Sequence, residues 1–131
     1  MDNRFKFRAW DKTQNKMYHD VEMTYDYPCE PRGAEASSFG CVLMDDDYIV
    51  MQCTGLKDKN GKLIYEGDIV NEMDFTYHKV VWEAEYCRYL MISLNGNYLL
   101  DSTLESTTDG MSNHRIEVIG NIYEDEDLLN D

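Results

Sequence analysis

A chain of 131 residues is long enough for one domain with its own core, and a second full domain would be cramped. Its 43% hydrophobic content excludes a wholly disordered chain, while a formal charge of −14 works against non-specific contact with nucleic acid or anionic membrane, both of which need cationic surface. There is no apolar run near the ~20 residues that span a bilayer, nor the apolar centre of a signal peptide, so the expectation is a soluble protein of the cytoplasm. In that reducing compartment Cys29, Cys41, Cys53 and Cys87 stay as thiols, with Cys53 and Cys87 read as small core residues within apolar strands.

Arg4 to Trp10 alternates polar and apolar residues, which on a pleated backbone places Phe5, Phe7 and Ala9 on one face and predicts a half-buried strand. The basic residues Arg4, Lys6, Arg8, Lys12 and Lys16 then read as a solvated face rather than a nucleic-acid contact. A polar turn follows, and a second alternation from Met17 to Thr24 completes an N-terminal β-hairpin within residues 1–25. Residues 26–47 contain Pro28, Pro31, Gly33, Ser37, Ser38 and Gly40 and read as a loop-rich segment. Within it, Cys41 to Met44 fits either a short strand or a turn of helix.

Tyr48 to Cys53 reads as a buried strand leading into Asp58-Lys59-Asn60-Gly61, the strongest hairpin signal in the chain because Asn and Gly tolerate positive φ. Lys62 to Tyr65 is a strand, Glu66-Gly67-Asp68 breaks it, and Ile69-Val70 begins another. Residues 71–78 read as a strand end and loop. Lys79 to Tyr86 alternates with Val80, Trp82, Ala84 and Tyr86 on one side, which makes Trp82 the expected centre of the core. Arg88 to Leu94 follows as a strand, Asn95-Gly96-Asn97 as a turn and Tyr98 to Leu100 as a strand. Asp101 to Asn113 is a surface loop with a capping box at Ser102 and Glu105, and Arg115 to Tyr123 is the last strand. Short strands at intervals of roughly ten residues predict a mainly β fold. The expected architecture is a small SH3-like barrel over residues 48–124, preceded by the N-terminal β-hairpin and long loops. An acidic tail over residues 125–131 ends it, with Leu128-Leu129 as a short C-terminal helical turn.

Three blocks carry a family resemblance: Lys6 to Asp11 (KFRAWD), Thr54 to Val70 (TGLKDKNGKLIYEGDIV) and Ile116 to Glu124 (IEVIGNIYE). In this order they resemble the YopX family of bacteriophage and prophage proteins, across nearly the whole chain taken as a single domain. The resemblance implies a phage-encoded, mainly β cytoplasmic protein, and it brings no catalytic motif.

Reactive residues are sparse. His19, His78 and His114 lie far apart near turns or strand surfaces, no Cys-x-x-Cys occurs, and Asp45-Asp46-Asp47 lacks the spacing of a calcium loop, so no metal or cofactor is expected. Glu66 with Asp68, or Glu83 with Glu85, would share a strand face and offer the paired carboxylates of a small hydrolase. The simpler role for Asp68 is to bond nearby backbone amides and fix its turn. The expectation is a small non-catalytic module that binds a host or phage protein. Trp10, Tyr25, Tyr27 and Tyr77 in or beside loops would act as anchors, with Glu66 and Asp68 as further binding candidates. The alternative is an acidic mimic of the DNA backbone that occupies a basic groove of a host protein, itself binding no nucleic acid. The exposed hairpin edge and Leu128-Leu129 suggest a homo-oligomer.

Overall fold

The computed structural model describes residues 3–23, 39–72, 76–94, 102–103 and 116–130, which form a mainly β protein. The chain divides into two compact units, Met1–Cys53 and Thr54–Asp131, and the division falls inside one continuous strand.

In the first unit a 3-10 turn (Asn3–Phe5) precedes β1 (Phe7–Asp11) and β2 (Lys16–His19), which pair as the expected hairpin. Asp11 builds the turn between them: its Oδ1 accepts the amides of Thr13 at 2.9 Å and Gln14 at 3.1 Å, and Asn15 takes a φ of 53°, where asparagine is at home. A short helix α1 (Phe39–Met44) settles the choice left open at Cys41 to Met44, and β3 (Tyr48–Lys57) follows. The strand order is β2-β1-β3, with Ala9 opposite Tyr18 on one side and Val50 on the other. Ala9, Val21 and Val42 form the core, with Phe7, Tyr18, Phe39, Tyr48 and Val50 packed around them. The Phe7 and Phe39 rings lie 5.0 Å apart.

Three expectations here are corrected. β1 is buried on both faces from Arg8 to Asp11, so Arg8 (4% exposed) belongs to the interior and not to a solvated basic face. Phe5 falls in the 3-10 turn and is exposed. The second strand also ends early, because Asp20 at a φ of 56° turns the chain before Val21.

The second unit begins with the last residues of β3, which pair with β4 (Leu63–Tyr65) across the Asn60-Gly61 turn. Gly61 has a φ of 83°, as the turn signal requires. Five further strands form an antiparallel sheet in the order β8-β7-β6-β5-β9: β5 (Asp68–Glu72), β6 (Thr76–Glu83), β7 (Arg88–Ser93), β8 (Ser102–Thr103) and β9 (Ile116–Asn121). This sheet curls into a half-barrel where the sequence predicts a small barrel. A register shift between Ile69 and Val70 opposite β9 marks an irregularity of the kind that bends a sheet. Ile64, Val70, Val80, Met91, Ile116 and Val118 form the core, with Leu56 and Tyr89 against it. A 3-10 helix (Glu126–Asn130) carries Leu128-Leu129, as expected of the tail.

The corrections in this unit concern where strands start and stop. β6 begins at Thr76, within the stretch read as a loop, and ends at Glu83, so Ala84 to Cys87 is a turn. Trp82 is 45% exposed and Tyr86 is 63% exposed, so neither lies at the core's centre. Cys53 is buried as expected, but Cys87 is exposed in the turn. His78, expected near the surface, is buried opposite Val70. Ser102 and Thr103 are strand, not a helical cap. Asn95-Gly96-Asn97, Tyr98 to Leu100, His114 and most of residues 26–47 lie outside the described residues.

Candidate functional site

Much of the chain's acidity holds turns. Asp58 accepts three backbone amides: Oδ1 takes those of Asn60 and Lys62, each at 2.9 Å, and Oδ2 takes that of Val118 at 2.9 Å. Asp68 is 2% exposed and its Oδ2 accepts the Tyr65 amide at 2.7 Å, closing the turn through Gly67, whose φ is 89°. At the far end, Asp125 Oδ2 accepts the Asn121 amide at 3.0 Å, while Asn121 Oδ1 accepts those of Tyr123 and Glu124. A carboxylate facing N–H groups makes hydrogen bonds about twice as strong as neutral ones, which explains why acids occupy these positions. They are turn fixtures. Among the described residues no group of three or more His, Cys, Asp or Glu side chains could hold a metal ion.

The paired carboxylates fare accordingly. Asp68 is committed to its turn with Glu66 half-buried beside it. Glu83 ends β6 and accepts Arg88 Nε at 2.6 Å, whereas Glu85 sits in the turn, so these two do not share a strand face.

What the second unit presents to solvent is the β6–β7 hairpin. Its strands stay in register to Trp82 opposite Tyr89 and Glu83 opposite Arg88, and four residues, Ala84 to Cys87, close it. The loop contains no Gly or Asn, and Cys87 supplies the left-handed residue at a φ of 52°. Trp82 and Tyr89 meet edge to face with ring centroids 4.9 Å apart. Tyr89 also packs on the core, so it anchors the exposed indole from below. On the opposite face, the Arg88 guanidinium lies 4.9 Å from the Tyr86 ring centroid and is held by Glu83. Trp, Tyr and Arg are the residue types that most often dominate binding energy at protein interfaces.

Of the residues singled out from sequence, Trp10 is 8% exposed in β1 and so offers no surface anchor. Tyr77 is 38% exposed on β6. Tyr25 and Tyr27 lie outside the described residues. The structure does not gather Trp10 and Tyr77 into one unit, whereas Trp82 and Tyr86, which alternation assigns to the core, come together with Arg88 and Tyr89 on one hairpin. The missed signal was the polar run Glu83-Ala84-Glu85 after the alternating strand, which a reading attentive to strand length would have taken as its end.

A curled antiparallel sheet that carries an aromatic hairpin defines a small, mainly β protein. The sequence model described as YopX protein matches residues 6–130, and the chain belongs to the YopX family. No curated protein matches it. Among solved structures it is similar to protein EF1440 from Enterococcus faecalis, with a TM-score of 0.59 and 22% identity over 95% of this chain and 96% of that one, a likeness of fold. No helix among the described residues is long and apolar enough to cross a membrane.

Proposed function

We propose that this YopX family member is a small non-catalytic phage or prophage module that binds a host or phage protein through its β6–β7 hairpin. The observation that carries this reading is the 45% exposed Trp82, held edge-on by the core-packed Tyr89 at the end of a well-registered strand pair. An indole left in water on a rigid platform gives up little conformational entropy on binding and removes a large apolar area from solvent when covered.

Affinity capture from a bacterial lysate at low and roughly physiological salt, with wild-type and Trp82→Ala baits, tests it. A protein retained by the wild type at the higher salt and lost with Trp82→Ala is the expected result. Identical retained sets for the two baits would overturn the assignment to this hairpin. Retention of DNA-binding proteins displaced by duplex DNA would instead favour the acidic mimic.

A further inference from the structure

We propose that the segment recognised by Trp82 is cationic, with an arginine or lysine side chain placed against the indole face; this rests on the binding-module reading above. Residues 54–131 carry sixteen Asp and Glu against six Lys and Arg, so the net charge of this part of the chain favours the approach of a basic partner. Within the hairpin Glu83 is engaged by Arg88, and the exposed Glu85, three residues along from Trp82, is the acid of the turn itself. The hairpin also contains its own example of the chemistry. Arg88 is gripped by a carboxylate, Glu83 at 2.6 Å, and by an aromatic ring, Tyr86 at 4.9 Å, the two elements that hold a guanidinium best. Across the strand pair, Trp82 offers a larger ring with 45% of its surface in water, and indole is the strongest cation-binding ring of the three.

The test uses the full chain and a short peptide alternating Arg and Gly, with peptides alternating Ser or Glu with Gly as comparisons. Tryptophan emission reports the contact, because the other indole, Trp10, is buried. The expected result is saturable quenching by the Arg peptide alone at roughly physiological salt. Calorimetry should show about tenfold weaker binding to Trp82→Ala and weaker binding to Glu85→Lys, an exposed turn position whose change leaves the fold intact. Equal binding to wild type and Trp82→Ala would reduce the contact to diffuse charge and overturn the proposal, as would equal binding of the Ser peptide or no saturable binding. If the Arg peptide fails while a lysate partner still depends on Trp82, the module reading stands and the cationic segment falls. If neither depends on Trp82, both fall.

Discussion

Asp58 Oδ2 accepts the amide of Val118 at 2.9 Å, joining two residues sixty positions apart in the chain. The contact belongs to a larger seam: Lys59 donates its amide to the Ile116 carbonyl at 2.9 Å, and Asn60 Nδ2 donates to Glu117 Oε2 at 3.1 Å. β9 is the outer strand of its sheet, and this turn satisfies the Val118 amide and the Ile116 carbonyl on its other edge. Uncovered edges recruit other chains, so the Asn-Gly hairpin both reverses the chain and closes a sheet.

Asp58→Asn should therefore cost more than its near-identical shape suggests. One oxygen remains to accept amides, but the new NH2 must face either Val118 or the pair at Asn60 and Lys62, donor against donor. The expected loss is about 1–3 kcal/mol, with Asp58→Ala at or above the upper end. Asp46→Asn, at an exposed position, should change stability by less than about 0.5 kcal/mol. Urea midpoints at constant m-value check all three.

Gly61 and Gly120 should respond to alanine for different reasons. Nothing lies within 4 Å of a Cβ added at Gly61, so only its φ of 83° opposes substitution, at about 1 kcal/mol, and Gly61→Asn should cost less than Gly61→Ala. At Gly120 a Cβ would collide with the carboxylate of Asp125, which holds the Asn121 amide. Gly120→Ala should then lose that bond as well. The double variant Gly120→Ala/Asp125→Ala should be less destabilised than the sum of the single changes, a coupling that a mutant cycle measures.

Turn chemistry was the legible part of this fold. Asn60-Gly61 and Glu66-Gly67-Asp68 specify their geometry with neighbours in sequence, and Asp68 holds its turn as its position after Gly67 predicts. Alternation was legible for the pairing of β1 with β2 and for the apolar side of β6, but it identifies the faces of a strand without saying what covers them. Arg8 shows one consequence: β1 is buried along both faces from Arg8 to Asp11, and what covers a face comes from residues distant in sequence. The β6–β7 turn has no Gly or Asn to mark it, so alternation alone extends the strand to Tyr86, past its end at Glu83. The aromatic hairpin was illegible for that same reason.

Cys87 is the residue that this turn strains. Its left-handed φ of 52° is unfavourable for a side chain with a Cβ by roughly 1–2 kcal/mol. Cys87→Gly should recover about 0.5–1 kcal/mol of this, the rest offset by the greater freedom of glycine in the unfolded chain. The same exposure makes the thiol reactive in the folded protein, whereas Cys53 is buried. Cysteine-to-serine variants labelled with a thiol reagent and mapped by mass spectrometry should show Cys87 modified under native conditions and Cys53 modified only on unfolding.

The two tryptophans exchange the roles that alternation assigns them, and the exchange is open to measurement. Trp10 lies on the central strand of its sheet and is 8% exposed, while Trp82 stands one pair before the end of β6, where its ring extends past the core formed by Val80 and Met91, and is 45% exposed. Trp82→Phe should leave blue-shifted emission that acrylamide quenches weakly, and Trp10→Phe should leave red-shifted emission that it quenches strongly. Stability should follow the same order: Trp10→Ala should cost about 3–5 kcal/mol as a core truncation. Trp82→Ala should cost about 0.5–1.5 kcal/mol, the scale of its edge-to-face contact with Tyr89. Strong quenching of Trp10, or a larger stability loss at Trp82, would place the exposed indole on the wrong unit and remove the platform on which the binding surface depends.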